Sequence, residues 1–254
     1  MEFIEVLKER SLLLFWFSTI NLLAAIIFLI LSYLIPVEFG GTNAWYKPLK
    51  FALSTAILCY SLTWYLGYLP KDSVNLFVSW VIVITLGFEV VYIAWQAAKG
   101  QASHFNLSTP FYSFMFSLMA IAATVATIAI GYFGLRFFAN SFPELPNYYL
   151  WALRCGFVIF VIFSFEGFLM GGRLAHTVGE SDGGIGIPFL NWSTTAGDLR
   201  IAHFIGMHAL QVLPILSYYL LKDVKLTMVL SVCYLLLAVF VLVQALGGNS
   251  LFKI

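Results

Sequence analysis

The sequence contains little charge of either sign, and this shortage excludes most classes of soluble protein. Only 10% of its 254 residues are Asp, Glu, Lys or Arg, while 61% are hydrophobic. An average soluble domain is about one quarter charged. The 13 Lys and Arg residues almost balance the 12 Asp and Glu residues, so the basic excess that nucleic-acid binding requires is missing too. We therefore expect a membrane protein without a nucleic-acid partner.

Cysteine is scarce as well, and its positions argue against cysteine chemistry. The three cysteines, Cys59, Cys155 and Cys233, each lie inside a long apolar segment without a CxxC spacing. Cysteines in such surroundings are typically small buried hydrophobic residues. The sequence predicts neither a disulfide nor a thiolate metal site.

Long hydrophobic runs, in contrast, are abundant. A helix needs about 20 apolar residues to cross a bilayer. The first run is longer than the core of a cleaved signal peptide, which is typically about 7–15 residues. We predict an all-α integral membrane protein, a single domain of residues 1–254 folded as a bundle of seven transmembrane helices. The predicted spans are 11–35, 48–69, 73–98, 110–138, 147–171, 199–221 and 226–246.

The basic residues give only a weak signal for the orientation of the chain. Lys and Arg are divided almost evenly between the two sets of loops, so the positive-inside rule does not decide between them. The tight connections at 71–72 and 222–225 carry compact charge. On that ground we expect a cytoplasmic N-terminus.

The loops differ in length and chemistry, which predicts that one membrane face carries the function. The first, third and fifth loops emerge on the same face and contain most of the unusual polar residues. The fifth loop, from Gly171 to Asp198, is the longest and is rich in glycine. Its composition favours a lid or a re-entrant segment, with an ordinary external loop as the alternative.

Ionisable side chains inside the predicted spans are the main site candidates, because a central charge costs about 2.5–3.5 kcal/mol on insertion scales. We measure depth from the face of the fifth loop, at about 1.5 Å of rise per residue. Glu89 then lies about 15 Å deep, Glu166 less than about 10 Å and His208 about 13 Å. His203 falls near the same layer. Three predicted helices thus bring carboxylates and imidazoles to similar depth.

Helical periodicity tests whether these side chains share a face. At about 100° per residue, Glu89, Tyr92 and Gln96 fall in one sector of the third predicted helix. His203 and His208 are about 140° apart around the sixth predicted helix, so a straight helix does not aim both at one ion. We expect either a local bulge between them or different roles for the two histidines.

Carboxylate together with imidazole is a common ligand set for zinc or non-haem iron, and a catalytic site of this kind keeps one position open. We therefore predict a metal-binding membrane protein that acts on a lipid or another amphipathic small molecule. Haem, held by an imidazole, is a variant of this prediction. The sequence lacks an HExxH motif, an ExxH pair and a histidine box, so the spacing of the ligands does not identify an enzyme class.

The candidate residues form three overlapping sets. The candidate metal ligands are His104, His176, His203, His208, Glu89 and Glu166. The candidate catalytic groups are Glu89, Glu166 and His208. The candidate ligand-binding residues are Lys50, Tyr92, Gln96, Arg173, Arg200 and Gln211.

Two other functional classes fit the same residues. In a proton-coupled transporter or channel, Glu89 and Glu166 would titrate and His208 would pass protons near neutral pH. A membrane sensor would bind a small ligand in the polar pocket. Membrane lipid and a small molecule are the expected partners in every case, and the oligomeric state stays open.

A short internal similarity bears on the transporter alternative. Leu49-Lys50-Phe51-Ala52 opens the second predicted span, and Leu199-Arg200-Ile201-Ala202 opens the sixth. A parallel repeat of three helices on either side of a linking helix would place these segments in matching positions. Four similar residues are too few to establish such a repeat.

Overall fold

The computed structural model describes residues 3–252 and is all-α, with 72% of residues helical. Seven helices within this range are long and apolar enough to cross a membrane, which confirms the predicted fold class. The spanning helices are α2 (Leu12–Leu34), α3 (Tyr46–Leu66), α4 (Ser73–Ala98), α5 (Pro110–Ala139), α6 (Asn147–Arg173), α7 (Leu199–Leu216) and α8 (Val224–Leu246). Their ends lie within a few residues of the predicted spans.

Three kinds of element were not predicted. A short helix, α1 (Phe3–Arg10), precedes the first span. Two antiparallel ribbons of two-residue strands follow α2 and α6. They pair β1 (Glu38–Phe39) with β2 (Thr42–Asn43), and β3 (Thr177–Val178) with β4 (Gly197–Asp198). A π-helical turn, Ser217–Leu221, continues α7.

The chain divides into two compact units, residues 1–129 and 130–254, with the division inside α5. The first unit contains α1 to α4 and the beginning of α5, and the second contains the rest of the chain. The single domain expected from the sequence stays a prediction. We describe each unit by itself.

In the first unit, the cationic side chain of Arg10 attaches α1 to the end of α3. The guanidinium of Arg10 lies over the rings of Trp64 and Tyr68, at 3.8 and 4.5 Å from their centroids. It also donates a hydrogen bond to the backbone oxygen of Trp64. Cation–π contacts of this kind contribute about 0.5–2 kcal/mol. Leu7 of the same helix is buried.

The core of the first unit forms where α2, α3 and α4 meet. Ala25, Leu49, Ala52 and Val90 make one buried cluster. The small side chains of Ala25 and Ala52 let the helices approach closely, as small residues do at helix interfaces inside a membrane.

In the second unit, α6 and α7 pack most closely at a glycine. A Cβ atom added to Gly156 would lie 3.1 Å from the Cα of Leu210 and 3.2 Å from the backbone oxygen of Ala209. The absence of a side chain at this position therefore sets the spacing of the two helices. Further along, the Ser217 hydroxyl lies 2.7 Å from that of Thr227, and this contact ties the π-helical turn to α8.

The two units share one order of elements: a spanning helix, a two-stranded ribbon, a second spanning helix, a Lys-Asp turn and a third spanning helix. The short similarity seen in the sequence belongs to this longer correspondence. Ala52 and Ala202 are both fully buried in the second spanning helix of their unit. Asp72 and Asp223 both cap the third spanning helix of their unit, and each side chain accepts a hydrogen bond from a backbone N–H three residues on.

The third helices also end alike. The side-chain amide of Gln96 donates to the backbone oxygen of Ala102 (2.9 Å), and that of Gln244 donates to the backbone oxygen of Ser250 (2.8 Å). A left-handed glycine follows each glutamine by four residues, with φ of +61° at Gly100 and +76° at Gly248. Both glycines end their helix in the way that favours a residue without Cβ.

Candidate functional site

The structure brings two predicted site residues, Glu166 of α6 and His203 of α7, into direct contact. The Nδ1 atom of His203 lies 3.2 Å from a carboxylate oxygen of Glu166. The Glu166 side chain is only 4% exposed and the His203 side chain 29%. Nδ1 of His203 and both carboxylate oxygens of Glu166 have no hydrogen-bond partner among residues 3–252, and the contact is an ion pair when the imidazole is protonated.

The place of the pair along the helices puts it inside the membrane-spanning part of the second unit. Glu166 precedes the last residue of α6 by seven positions, or about 10 Å of helix. His203 is the fifth residue of α7, about 6 Å from its start. The expectation that these two residues converge in depth fits this geometry.

Gly167 makes room for the imidazole. A Cβ atom at this position would lie 3.2 Å from Cε1 of His203, which is tighter than ordinary van der Waals contact. A side chain at residue 167 would therefore push the ring of His203. Gly167 thus positions the His203 ring beside Glu166.

His208 makes different contacts from His203. Its Nδ1 atom lies 2.8 Å from the backbone oxygen of Phe204, and the two rings lie 4.0 Å apart. The imidazole is thus held by its own helix. The angle of about 140° between residues 203 and 208 explains why only one of them meets Glu166.

The remaining histidines are held by neighbours in their loops. Nδ1 of His104 lies 3.0 Å from the Ser103 hydroxyl, and Nδ1 of His176 lies 2.6 Å from a carboxylate oxygen of Asp182. Across the described part of the chain, no three or more His, Cys, Asp or Glu side chains come together as a metal site. Binding of zinc, iron or haem stays a prediction.

Arg200, expected to bind a ligand, is an ion-pair partner inside the second unit. Its guanidinium lies 2.5 Å from a carboxylate oxygen of Asp198, which is 1% exposed. It also donates to the backbone oxygen of Asn191. The Asp198 carboxylate accepts a further hydrogen bond from the backbone N–H of Ser193. These contacts fix the end of the fifth loop against the start of α7.

The glycine-rich fifth loop is tied at a second point by Asp182. Its carboxylate accepts hydrogen bonds from the backbone N–H groups of His176 and Thr177 and from the Thr177 hydroxyl. Partial burial raises the pKa of Asp182, but the hydrogen bond and charge of His176, with the bond from Thr177, outweigh it and hold the pKa below its usual range. The loop predicted as a lid or re-entrant segment is therefore cross-linked by polar contacts.

Arg173, another predicted ligand-binding residue, lines a shallow surface depression with Thr177 and Glu180. Gln211 is half-buried on α7. Neither side chain takes part in the contact between Glu166 and His203.

Three of the predicted residues of the first unit, Glu89, Tyr92 and Gln96, lie on the buried face of α4. Glu89 is 9% exposed and Tyr92 is 2% exposed. Gln96 caps its own helix end and so has a structural role. Lys50 is half-buried on α3.

Sequence reasoning missed three residues that shape the second unit: Gly167, Asp182 and Asp198. Asp198 directly precedes the apolar run of α7, which is an N-cap signal. Asp182 and Gly167 have no comparable local signal, because their roles depend on contacts with other segments.

Comparison of the chain with protein-family models, with curated proteins and with solved structures gives no match.

Proposed function

We propose that this protein is a proton-coupled transporter of a small molecule and that Glu166 and His203 bind the proton. The observation that carries the proposal is the 3.2 Å contact between a buried carboxylate and an imidazole inside two neighbouring spanning helices. Ionisable groups in such positions typically mark proton or substrate pathways.

The net charge buried between the two helices depends on whether the pair holds its proton. With both ring nitrogens of His203 protonated, the pair is an imidazolium beside a carboxylate and is neutral overall. When the proton leaves, a carboxylate remains buried without a compensating charge, which is unfavourable by several kcal/mol. Release of the proton is therefore coupled to a change that rehydrates Glu166 or supplies another cation.

The repeated order of elements supports transport over catalysis. Several transporter folds consist of two halves with the same sequence of helices. Here three spans lie on either side of a linking span, so α2 and α6 cross the membrane in the same direction.

The test is a flux assay on the full chain in liposomes that contain a pH-sensitive dye. Amino acids, sugars, monocarboxylates and organic cations are offered singly under an imposed pH gradient. We expect gradient-driven uptake of at least one class, accompanied by proton movement. Glu166→Gln and His203→Gln should each reduce it at least about tenfold, whereas Glu144→Gln, a change at an exposed loop carboxylate, should not.

The alternative of a metal centre is separated by elemental analysis of the same protein. Zinc, iron or copper at about one atom per chain, lost in His203→Ala, would confirm the metal prediction and overturn the proton site. Proton movement and uptake no greater than in liposomes without protein would also overturn the proposal.

A further inference from the structure

The first unit holds a buried carboxylate of its own, Glu89 on α4. Its side chain has no ion-pair or hydrogen-bond partner among residues 3–252. One turn further along the same face, the Tyr92 hydroxyl is also buried and without a partner in that range. Buried polar groups are normally satisfied, so two unsatisfied groups on adjacent turns call for a missing partner.

Aromatic rings and methionines pack around Tyr92. The ring of Tyr92 stacks on Phe88 at 6.2 Å and lies 5.8 Å from that of Trp95. Tyr92 also packs in a hydrophobic cluster with Phe51 of α3 and Met119 of α5. Faces of aromatic rings attract cations, and this attraction strengthens when the cation is desolvated.

These features specify the chemistry of the missing partner. It should carry positive charge to match Glu89, N–H donors to reach both Glu89 and Tyr92, and an apolar portion to contact the rings. A protonated primary amine has all three properties. We infer that Glu89 and Tyr92 form a binding site for a protonated alkylamine in the first unit.

That an amine is the transported substrate rests on the proposed transport function. The binding site itself can be tested without transport. A metal cation is a poorer match, because Glu89 belongs to no group of three or more His, Cys, Asp or Glu side chains that could hold a metal ion in residues 3–252. A quaternary ammonium would match the rings but would leave both hydrogen-bonding groups unsatisfied.

Calorimetric titration of the detergent-purified full chain with n-butylammonium chloride at neutral pH tests the site. Butan-1-ol, of similar size but uncharged, is the matched probe. We expect saturable binding of the ammonium and much weaker binding of the alcohol. Glu89→Gln should weaken ammonium binding about tenfold or more, and Tyr92→Phe should weaken it severalfold.

Two control variants remove the same groups from exposed positions. Glu144→Gln and Tyr33→Phe should bind n-butylammonium like the unaltered protein, since Glu144 lies in an exposed loop and Tyr33 is 76% exposed. If Glu89→Gln fails to fold, Tyr92→Phe still tests the site because it removes one oxygen atom and keeps the ring.

Protection from a carboxyl reagent locates the bound amine. Dicyclohexylcarbodiimide modifies carboxyl groups in apolar surroundings, and mass spectrometry identifies the modified residue. We expect n-butylammonium to slow modification of Glu89 at least about threefold, with Glu166 in the same digest as the reference.

The outcomes of these tests separate the two proposals. Equal binding of the alcohol and the ammonium, absence of ammonium binding, or unchanged affinity in both Glu89→Gln and Tyr92→Phe would overturn the amine site. None of these results bears on proton movement through Glu166 and His203. Conversely, a failure of the liposome assay would overturn the transport proposal and leave a measured amine site standing.

Discussion

Gly206 of α7 lies directly against the ring of Phe163 on α6. A Cβ atom added to Gly206 would overlap the Cγ and Cδ2 atoms of that ring, which is itself 1% exposed. Phe163 thus fills the space that Gly206 leaves. The residues three positions away in each helix are Glu166 and His203, which are in direct contact. The close packing of these helices and the pair therefore belong to one interface.

Gly206→Ala is expected to destabilise the protein, because neither the buried ring nor the helix backbone can yield without strain. The cost should be about 1–3 kcal/mol, measured as a lower unfolding temperature in detergent. Gly172→Ala is the matched control, since a Cβ atom there would meet nothing within 4 Å. Equal effects of the two changes would contradict the packing described.

Gly167→Ala should alter the proton site without removing either titratable group. The new methyl group would displace the His203 ring, which weakens its attraction to Glu166. If the pair binds the transported proton, proton-driven uptake should fall severalfold, because the imidazole no longer lies beside the buried carboxylate. Gly171→Ala, with nothing within 4 Å of the added Cβ, should leave uptake unchanged. Unchanged uptake in both variants would argue against a proton role for His203.

Asp198→Asn should be among the most damaging single changes in the second unit. It leaves the Arg200 guanidinium without its buried counter-charge and weakens the hydrogen bond from Ser193. Loss of one partner of a buried ion pair typically costs about 3–5 kcal/mol. Denaturant unfolding measures the loss, with exposed Glu144→Gln as the control. A cost no greater than that of the control would show that the pair contributes little.

The fifth loop should loosen in acid. The pKa of Asp182 lies below its ordinary value of 3.8 in the folded chain, so its contacts stabilise the loop above about pH 4. That contribution is lost as the pH falls through the lowered pKa. Limited proteolysis between residues 174 and 198 should therefore accelerate in strong acid. Asp182→Asn should be cleaved faster at neutral pH, and its cleavage should depend less on acid.

Gln96→Leu and Gln244→Leu should have parallel local effects. Each removes one hydrogen bond between a helix end and the loop that follows, at a cost of about 0.5–1.5 kcal/mol. Hydrogen exchange should increase at residues 99–106 in the first variant and at 247–252 in the second. A change at only one helix end would contradict the structural equivalence of the two units.

Hydropathy alone predicted the spanning helices, because the bilayer imposes a length and a composition that few other structures satisfy. The convergence of Glu166 and His203 followed from their depth, since each lies near the end of its helix that faces the fifth loop. Depth did not separate His203 from His208. That distinction depends on the angle around the helix, which the sequence also supplied.

Other features depend on contacts between distant parts of the chain and were therefore missed. The ribbon strands have only two residues each, too short for an alternating pattern to appear. Arg200 looked like a ligand-binding cation because its partner, Asp198, was counted as a loop residue. The equivalence of Gln96 and Gln244 needed the hydrogen bonds that both side chains make at their helix ends.

The π-helical turn accommodates a difference of one residue between the second spanning helices of the two units. Asp72 follows Lys50 by 22 residues, whereas Asp223 follows Arg200 by 23. An extra residue in a regular α-helix rotates everything beyond it by about 100°, which would change the direction in which the chain leaves α7 for α8. A wider turn at Ser217–Leu221 takes up one residue locally. Single-residue insertions in this spanning helix can thus be accommodated near its end, while the face that carries His203 keeps its register.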